Sequence, residues 1–378
     1  MKAKSITGNS PEEIKSTLLQ SLTGGYKPTL SFVFISDKEQ IDAVREILNE
    51  HDILIFGATA TGDFTDSGDV NNSIVILLLD INPEYFLIKS YDITTDDTEQ
   101  CANKIAAEGL NTFPNPAFII TASHMNLPGE SIIKGIIDVA GDGANVIGGI
   151  ASHDDMLEGG AVFTNDHIRR GLVCLIIDQD KIAVNGLAVS GWKPVGTLKT
   201  VTKSEGNRVY TIDDQPAVDL LIKYTGIDVN LDDEMDIFTQ LGSTYPLQVQ
   251  KDEGLPVMKP PIMVNPSDHS IICGGMIPQG SKVRFSLPPD FDVIDTVIES
   301  AEKIKSDELP EADALVVFSC IGRFEALGPL VYKEIEGLQS VWNVPMAGFF
   351  SFGEFGKTPG GKSDFHGTTC SWVALKEK

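Results

Sequence analysis

Cysteine and arginine stand three residues apart in Phe318-Ser319-Cys320-Ile321-Gly322-Arg323. The apolar run Ala314-Leu315-Val316-Val317 precedes them, so the thiol falls where a buried strand ends and the chain turns. Arg323 offers a planar fork of donors that matches a carboxylate or a phosphate. A cation beside Cys320 would lower its pKa and make it reactive, whereas burial alone makes it a small hydrophobe. The bland alternative for Arg323 is pairing with Glu325 or Glu354. Glu354 closes Gly348-Phe349-Phe350-Ser351-Phe352-Gly353-Glu354, and Asp63 follows Gly62 in the same way. A carboxylate there either accepts a ligand amine or caps backbone N–H groups of its own turn. Arg323 and Glu354 together would suit an amino acid zwitterion. His366, with Thr368 and Thr369 beside it, can bond a ligand, ligate iron, titrate near neutral pH or serve as a structural residue. The candidate ligand-binding set is therefore Ser319, Cys320, Arg323, Ser351, Glu354, His366 and Thr369, with Gly57 and Asp63 at the matching first turn.

Other polar clusters carry less. Ser152-His153-Asp154-Asp155 has the ingredients of a metal site or a hydrolase, but adjacent residues in one loop do not form a triad, and the spacing matches no metal motif. Asn165-Asp166-His167 with Arg169 and Arg170 reads as a solvated hairpin. There is no Walker loop, no Gly-x-Ser-x-Gly elbow and no dinucleotide fingerprint. These absences remove the usual reasons to propose an enzyme, and a Cys320-based activity ranks last among the readings.

The elements that position these residues repeat. Three stretches share one phrase: an apolar strand ending in Ser, a helix, then an apolar run breaking into Gly and small residues. They are 31–64, 117–152 and 314–355, with strand ends at Ser36, Ser123 and Ser319. Each is followed by a polar, Gly-bearing segment and another apolar strand. Between the strands, Ile41, Val44, Ile47 and Leu48 share a helical face, as do Ile132, Ile133, Ile136, Ile137 and Ala140, and Leu327, Leu330, Val331, Ile335 and Leu338. A further helix carries Val293, Ile294, Val297, Ile298, Ala301 and Ile304, with Asp290 as its cap. Pro216 opens a helix that Gly226 closes. Strands are expected over 73–80, 85–90, 161–163, 171–177, 182–188, 269–273, 282–285 and 370–375. They are mostly apolar throughout, which implies sheets covered on both faces and an α/β class of layered, mixed sheets. An acidic stretch and prolines mark residues 225–265, and a domain boundary is expected near Gly226, the alternative being a long excursion within one domain.

The chain has 378 residues, 42% of them hydrophobic, enough for a large core and about two domains. Its net charge of −25 repels phosphate backbones and anionic membranes, so neither nucleic acid nor membrane is an expected partner. Five scattered cysteines indicate neither a disulfide framework nor a zinc site. With no apolar leader and no membrane-length run, the chain reads as cytoplasmic.

Gly191-Trp192-Lys193-Pro194-Val195-Gly196, then Val201-Thr202, Gly206-Asn207, Tyr210, Ile212-Asp213, Pro216-Ala217 and Asp219, resembles the middle signature of the FIST proteins, the F-box and intracellular signal-transduction proteins. Ser319-Cys320-Ile321-Gly322-Arg323 is similar to that family's Ser-Cys-x-Gly-Arg element. Gly348 to Glu354 resembles its Gly-aromatic-x-x-Gly-Glu turn, Gly360-Gly361 with His366 its closing segment, and Gly57 to Asp63 its first turn. Ala58 replaces the usual Cys, Asp63 the usual Glu, and Gly367-Thr368-Thr369 stands where Asn-Gln-Thr is common. The resemblance spans about residues 30 to 375. It implies an N-terminal extension (1–29), a FIST N domain (30–222) and a FIST C domain (223–376). It also implies a sensory protein that binds a small polar metabolite such as an amino acid. Such a protein would signal through a partner: a histidine kinase, a cyclase or a chemoreceptor. Some members bind haem and report nitric oxide. The histidines available by type are His124, His153, His167, His269 and His366, with no Cys-x-x-Cys-His attachment. An interaction scaffold without a small ligand is the third reading.

Overall fold

The computed structural model describes all residues except 70–73, 94–97, 124–127, 154–158, 167 and 228–240. His124, His167, Asp154, Asp155 and the acidic run at 229–234 lie outside the described residues. The class is α/β, and the repeated phrase is part of a larger triplication.

The first repeat runs β1 (Lys2–Gly8), α1 (Pro11–Ser21), β2 (Leu30–Ile35), α2 (Ile41–Asn49), β3 (Leu54–Thr59), a hairpin of β4 (Asp63–Thr65) and β5 (Gly68–Asp69), and β6 (Ile74–Asp80). The second repeats that order: β7 (Phe86–Asp92), α3 (Thr98–Thr112), β8 (Pro116–Ala122), α4 (Gly129–Ala140), β9 (Asn145–Ile150), a hairpin of β10 (Val162–Phe163) and β11 (Ile168–Arg169), and β12 (Gly171–Asp178). The third begins with β13 (Ile182–Val189) and is then interrupted. The interruption holds β14 (Pro194–Glu205), β15 (Arg208–Ile212), β16 (Gln215–Pro216), α5 (Ala217–Thr225), β17 (Leu247–Val249), β18 (Val257–Lys259), β19 (Pro261–Asn265), β20 (Ser270–Cys273) and β21 (Lys282–Ser286). The repeat resumes with α6 (Asp292–Asp307), β22 (Ala314–Cys320), α7 (Ile321–Leu327), α8 (Val331–Trp342), β23 (Met346–Ser351), a hairpin of β24 (Glu354–Lys357) and β25 (Ser363–His366), and β26 (Cys370–Glu377).

Each repeat builds one sheet and lends its hairpin to another. The sheet orders are β1-β6-β2-β3-β10-β11, β7-β12-β8-β9-β24-β25 and β13-β26-β22-β23-β4-β5. The first hairpin completes the third sheet, the second completes the first, and the third completes the second: a closed cycle of exchange. In each case a phenylalanine of the donated strand sits opposite a glycine: Phe163 on Gly57, Phe355 on Gly148 and Phe64 on Gly348. A Cβ on Gly57 or Gly348 would overlap the facing ring. These glycines are therefore packing requirements, and each ring fills the space that a side chain on its partner strand would take.

The inner faces of the three sheets share one core in which Phe34 meets Phe349 at 4.8 Å and Phe318 at 6.4 Å. Helix pairs cover the outer faces: α1 and α2 on the first, α3 and α4 on the second, α6 and α8 on the third. The strands are apolar on both sides because each lies between the central core and a helix layer. The interrupting segment forms an eight-stranded sheet of its own, with α5 packed against it through Val218 and Leu221. Among the described residues, no helix is long and apolar enough to cross a membrane.

Two local expectations change. The apolar stripe from Leu327 to Leu338 is not one helix, since Gly328 (φ 55°) and Pro329 divide α7 from α8. Asp290 does not cap α6 directly; Phe291 holds that position, and the Asp290 carboxylate accepts from the Asp292 N–H at 3.2 Å. Pro216 and Gly226 do bracket α5, Gly226 in the left-handed conformation at φ 69°.

Candidate functional site

Parallel strands β2 and β3, β8 and β9, and β22 and β23 all end at the same pole, where the chain passes into the exchanged hairpins. Ligands of open α/β sheets gather beyond such carboxyl ends. Ser152 ties the three turns together. Its hydroxyl donates to the Phe350 carbonyl at 2.5 Å and accepts from the Thr61 N–H at 2.7 Å, joining the second corner to the third and the first. Thr59 Oγ1 donates to the Ser152 carbonyl at 2.9 Å.

Aligning the repeats on Gly57, Gly148 and Gly348 makes Cys320 the counterpart of Ser36 and Ser123, whereas Ser319 corresponds to Ile35 and Ala122. Strand β22 thus runs one residue further than its sequence phrase suggests, which places the thiol itself at the corner. The same register makes Asp63 and Glu354 equivalent, opposite Phe349 and Gly149, with Val162 in the second repeat. They end up on different sheets: Asp63, on β4, belongs to the third and Glu354, on β24, to the second.

Glu354 gathers the third corner. Its carboxyl is fully buried and accepts from Ser351 Oγ at 2.7 Å, Thr369 Oγ1 at 2.8 Å and the Thr369 N–H at 3.3 Å. The Cys320 thiol bonds it as well. Burial pushes the Glu354 pKa up to about 8, against which these hydrogen bonds pull only in part. Burial, with Glu354 as a neighbour, also raises the Cys320 thiol well above its ordinary value, so the sulfur is a protonated thiol and a poor nucleophile. The Ser319 hydroxyl is buried without a partner, and its carbonyl, 3.2 Å from Ser351 Oγ, is the alternative acceptor for that hydroxyl's single proton.

Arg323 is adjacent in sequence but engaged elsewhere. It is fully buried, and its Nε donates to Glu334 Oε1 at 2.9 Å while Nη2 donates to Oε2. Nη1 donates to the Ser190 carbonyl at 2.7 Å and the Thr368 carbonyl at 3.3 Å, and the guanidinium lies 5.0 Å above the Trp192 ring. Its partner is Glu334, not Glu325 or Glu354, and the fork is filled by protein. Glu334 escaped the sequence reading although it left a trace, since a glutamate three residues after Val331 and four before Leu338 lies on the apolar stripe of α8.

His366 is fully buried on β25. Its Nε2 faces the Gly356 carbonyl at 3.0 Å, and burial lowers its pKa to about 4, so the ring is neutral at pH 7. Gly57 lies beneath Phe163 and serves packing.

A haem requires an axial ligand facing an apolar cavity. His366 is enclosed, and His269 pairs its Nδ1 with Asp219 at 2.6 Å on the inserted sheet. A described cleft of about 500 Å³ is lined by charged residues including Lys134, Asp138, Lys251 and Lys362. Neither of these two histidines therefore fits a haem, while His153, the third described candidate, is half-buried beside Ser152. Among the described residues, no cluster of His, Cys, Asp and Glu could hold a metal ion.

The FIST N domain model matches residues 29–215 and the FIST C domain model residues 217–357, together most of the chain. The chain belongs to the FIST family. FIST domains are associated with signal-transduction sensing. No curated protein matches the chain. The two FIST matches meet inside the segment that interrupts the third repeat, and strands from either side, β13 and β26, pair along their full length.

The raised pKa of Glu354 gives this FIST protein a testable pH signature. The folded state holds the Glu354 proton up to about pH 8, whereas an unfolded chain releases it near its ordinary value of 4.5. Between those values the unfolded state binds fewer protons, so stability falls as pH rises through this window and levels off above it. Glu354→Gln is expected to remove that slope, gaining on the order of a few kcal/mol over the wild type at pH 8.5 compared with pH 5. Urea unfolding of both proteins at the two values reads the difference. Parallel profiles would mean that Glu354 is ionised in the folded state.

Proposed function

We propose that this FIST protein is a small-ligand receptor whose site is the third corner. Its ligand is a polar metabolite bearing an amino group, an amino acid being the class that fits, and a partner protein reads its occupancy. One observation carries the reading: Glu354 is a fully buried carboxyl whose hydrogen-bond partners are two hydroxyls, a thiol and a backbone N–H, none of them charged. Burial without a counter-charge keeps this carboxyl protonated at neutral pH, and a ligand ammonium would supply the charge that lets it ionise. Ser319, Cys320, Ser351, Glu354 and Thr369 form the contact set, while Arg323 braces the turn behind them. Because the corner is enclosed, the ligand enters an opened conformer and shifts the population that a partner reads.

Thermal unfolding against a panel of L-amino acids at millimolar concentration tests this. A ligand at a hundredfold excess over its Kd stabilises by about 2.7 kcal/mol, a rise of about 3 °C if the whole chain unfolds as one unit. Glu354→Gln is expected to abolish the shift. No shift with any amino acid would sink the reading.

A further inference from the structure

Two of the described clefts differ in charge. The cleft of about 500 Å³ is walled by side chains of both signs, and its amines are already paired: Lys134 with Asp138, Lys251 with Asp364 and Lys362 with Asp142. The other, of about 290 Å³, has no basic side chain in its lining; its charged members are the carboxylates Asp66 and Glu336. It lies between helix α8 and the hairpin of β4 and β5 that the first repeat donates to the third sheet.

One wall is a helix face. Tyr332, Ile335, Glu336, Gln339 and Ser340 fall at i, i+3, i+4, i+7 and i+8 of α8, so they line up on one side of it. Glu334 turns inward to Arg323 and is fully buried, whereas Glu336, two positions on, is exposed. The floor is apolar: Phe64, Met346 and Ile335 are all buried there. Behind it the ring of Phe64 meets Phe350 at 5.3 Å, and Phe350 meets Tyr332 at 6.1 Å. The opposite rim is the turn after β4, where Asp66 is exposed. Its Oδ1 accepts from the Met346 N–H at 3.2 Å and from Ser5 Oγ, which fixes the carboxylate and leaves Oδ2 as an acceptor. Glu336 makes no ion pair among the described residues. Two carboxylates over an apolar floor, with no cation in the walls, attract a positive charge, and the field of a chain at −25 adds to that attraction.

We propose that this cleft binds a small organic cation: a primary ammonium head held at the rim by Asp66 and Glu336, on a short apolar body that lies against Met346, Ile335 and Phe64. The head brings donors that carboxylates accept and the charge that the walls lack. The body matches a floor without polar side chains, and the volume is at the small end of ligand clefts, so a chain of a few carbons fills it. The site is separate from the third corner and does not depend on it. An occupant would tie the hairpin of the first repeat to the helix of the third that carries Glu334.

Ligand-observed NMR titration at physiological salt tests this, with n-butylamine as the probe and n-butanol as its uncharged counterpart. The wild type is expected to bind butylammonium at least about tenfold more tightly than butanol. Glu336→Gln should weaken butylammonium by about three- to tenfold. Ser340→Phe puts a ring into the cleft from an exposed helix position, so the variant should fold and bind none. Asp138→Asn in the larger cleft and Glu354→Gln at the third corner should leave binding unchanged. Equal binding of amine and alcohol, or undiminished binding by Ser340→Phe or Glu336→Gln, overturns the site. Equal weakening by Asp138→Asn overturns it too, since the net charge of the chain then explains the effect. Loss of binding in Glu354→Gln overturns it by moving the amine to the third corner. A wild type that binds no butylammonium overturns this site and leaves the amino-acid reading, which Glu354→Gln tests separately, untouched.

Discussion

Glu334→Ala is expected to destabilise the folded protein by about 3–5 kcal/mol, among the largest costs available to a single substitution here. Both oxygens of Glu334 accept from Arg323, and neither residue has exposed surface. Removing the carboxylate leaves a guanidinium buried beside Trp192 with only the Ser190 and Thr368 carbonyls as partners. An uncompensated buried charge is the reason for the magnitude; the intact pair need contribute little over an apolar pair of the same volume. Arg323→Met with Glu334→Leu should therefore recover much of what Glu334→Ala loses, although two carbonyls are left without a donor. Urea unfolding of the three proteins measures this. A loss below about 1 kcal/mol for Glu334→Ala would show that the pair does not lock the corner, since exposed ion pairs behave that way. Arg323 would then be free for a ligand, and the amino acid would return to the clamp suggested by the sequence.

That reversal of roles shows where sequence reading stops. The strands were legible because each lies between a core and a helix layer, so Ile74 to Leu79 or Ala117 to Ala122 read as continuous apolar runs. The helices were legible from their faces, and the three phrases from their repetition. Arg323 stood out as a cation beside a thiol, and its type alone suggested a ligand. Its partner lies eleven positions on, across the break at Gly328-Pro329, and nothing local to Arg323 points there. Glu354 was legible as a carboxylate after glycine, but its lack of a charged partner is a property of the packed corner. The exchange of hairpins between sheets was the deepest omission, although a strand at 161–163 and a hairpin after it were expected. Strand β10 is two residues long, and its pairing with β3 joins residues more than a hundred positions apart, so no periodicity within either segment encodes it.

Phe163→Ala is expected to cost about 3–5 kcal/mol, the range for truncating a buried aromatic side chain, and the cost should reach beyond its own repeat. The ring is fully buried against the outer face of the first sheet, over Gly57, while its chain belongs to the second repeat. Losing it loosens the hairpin that closes the first sheet. Gly57→Ala presses a methyl group into the same ring and should cost about 1–3 kcal/mol by overpacking. The two changes are coupled: with the ring gone, the methyl enters the vacated space, so the double variant should be no less stable than Phe163→Ala alone. Phe64 with Gly348 predicts the same cycle at the third sheet. Urea unfolding followed by circular dichroism and by tryptophan fluorescence reads both energy and cooperativity. Trp342 and Trp372 lie in the third repeat, so they report on a sheet that Phe163 does not touch. Because the hairpins are exchanged in a closed cycle, the two signals should shift together in Phe163→Ala. Additive losses for Gly57 and Phe163, or a tryptophan transition left at its wild-type midpoint, would mean that the repeats fold as separate units and that the exchange does not couple them.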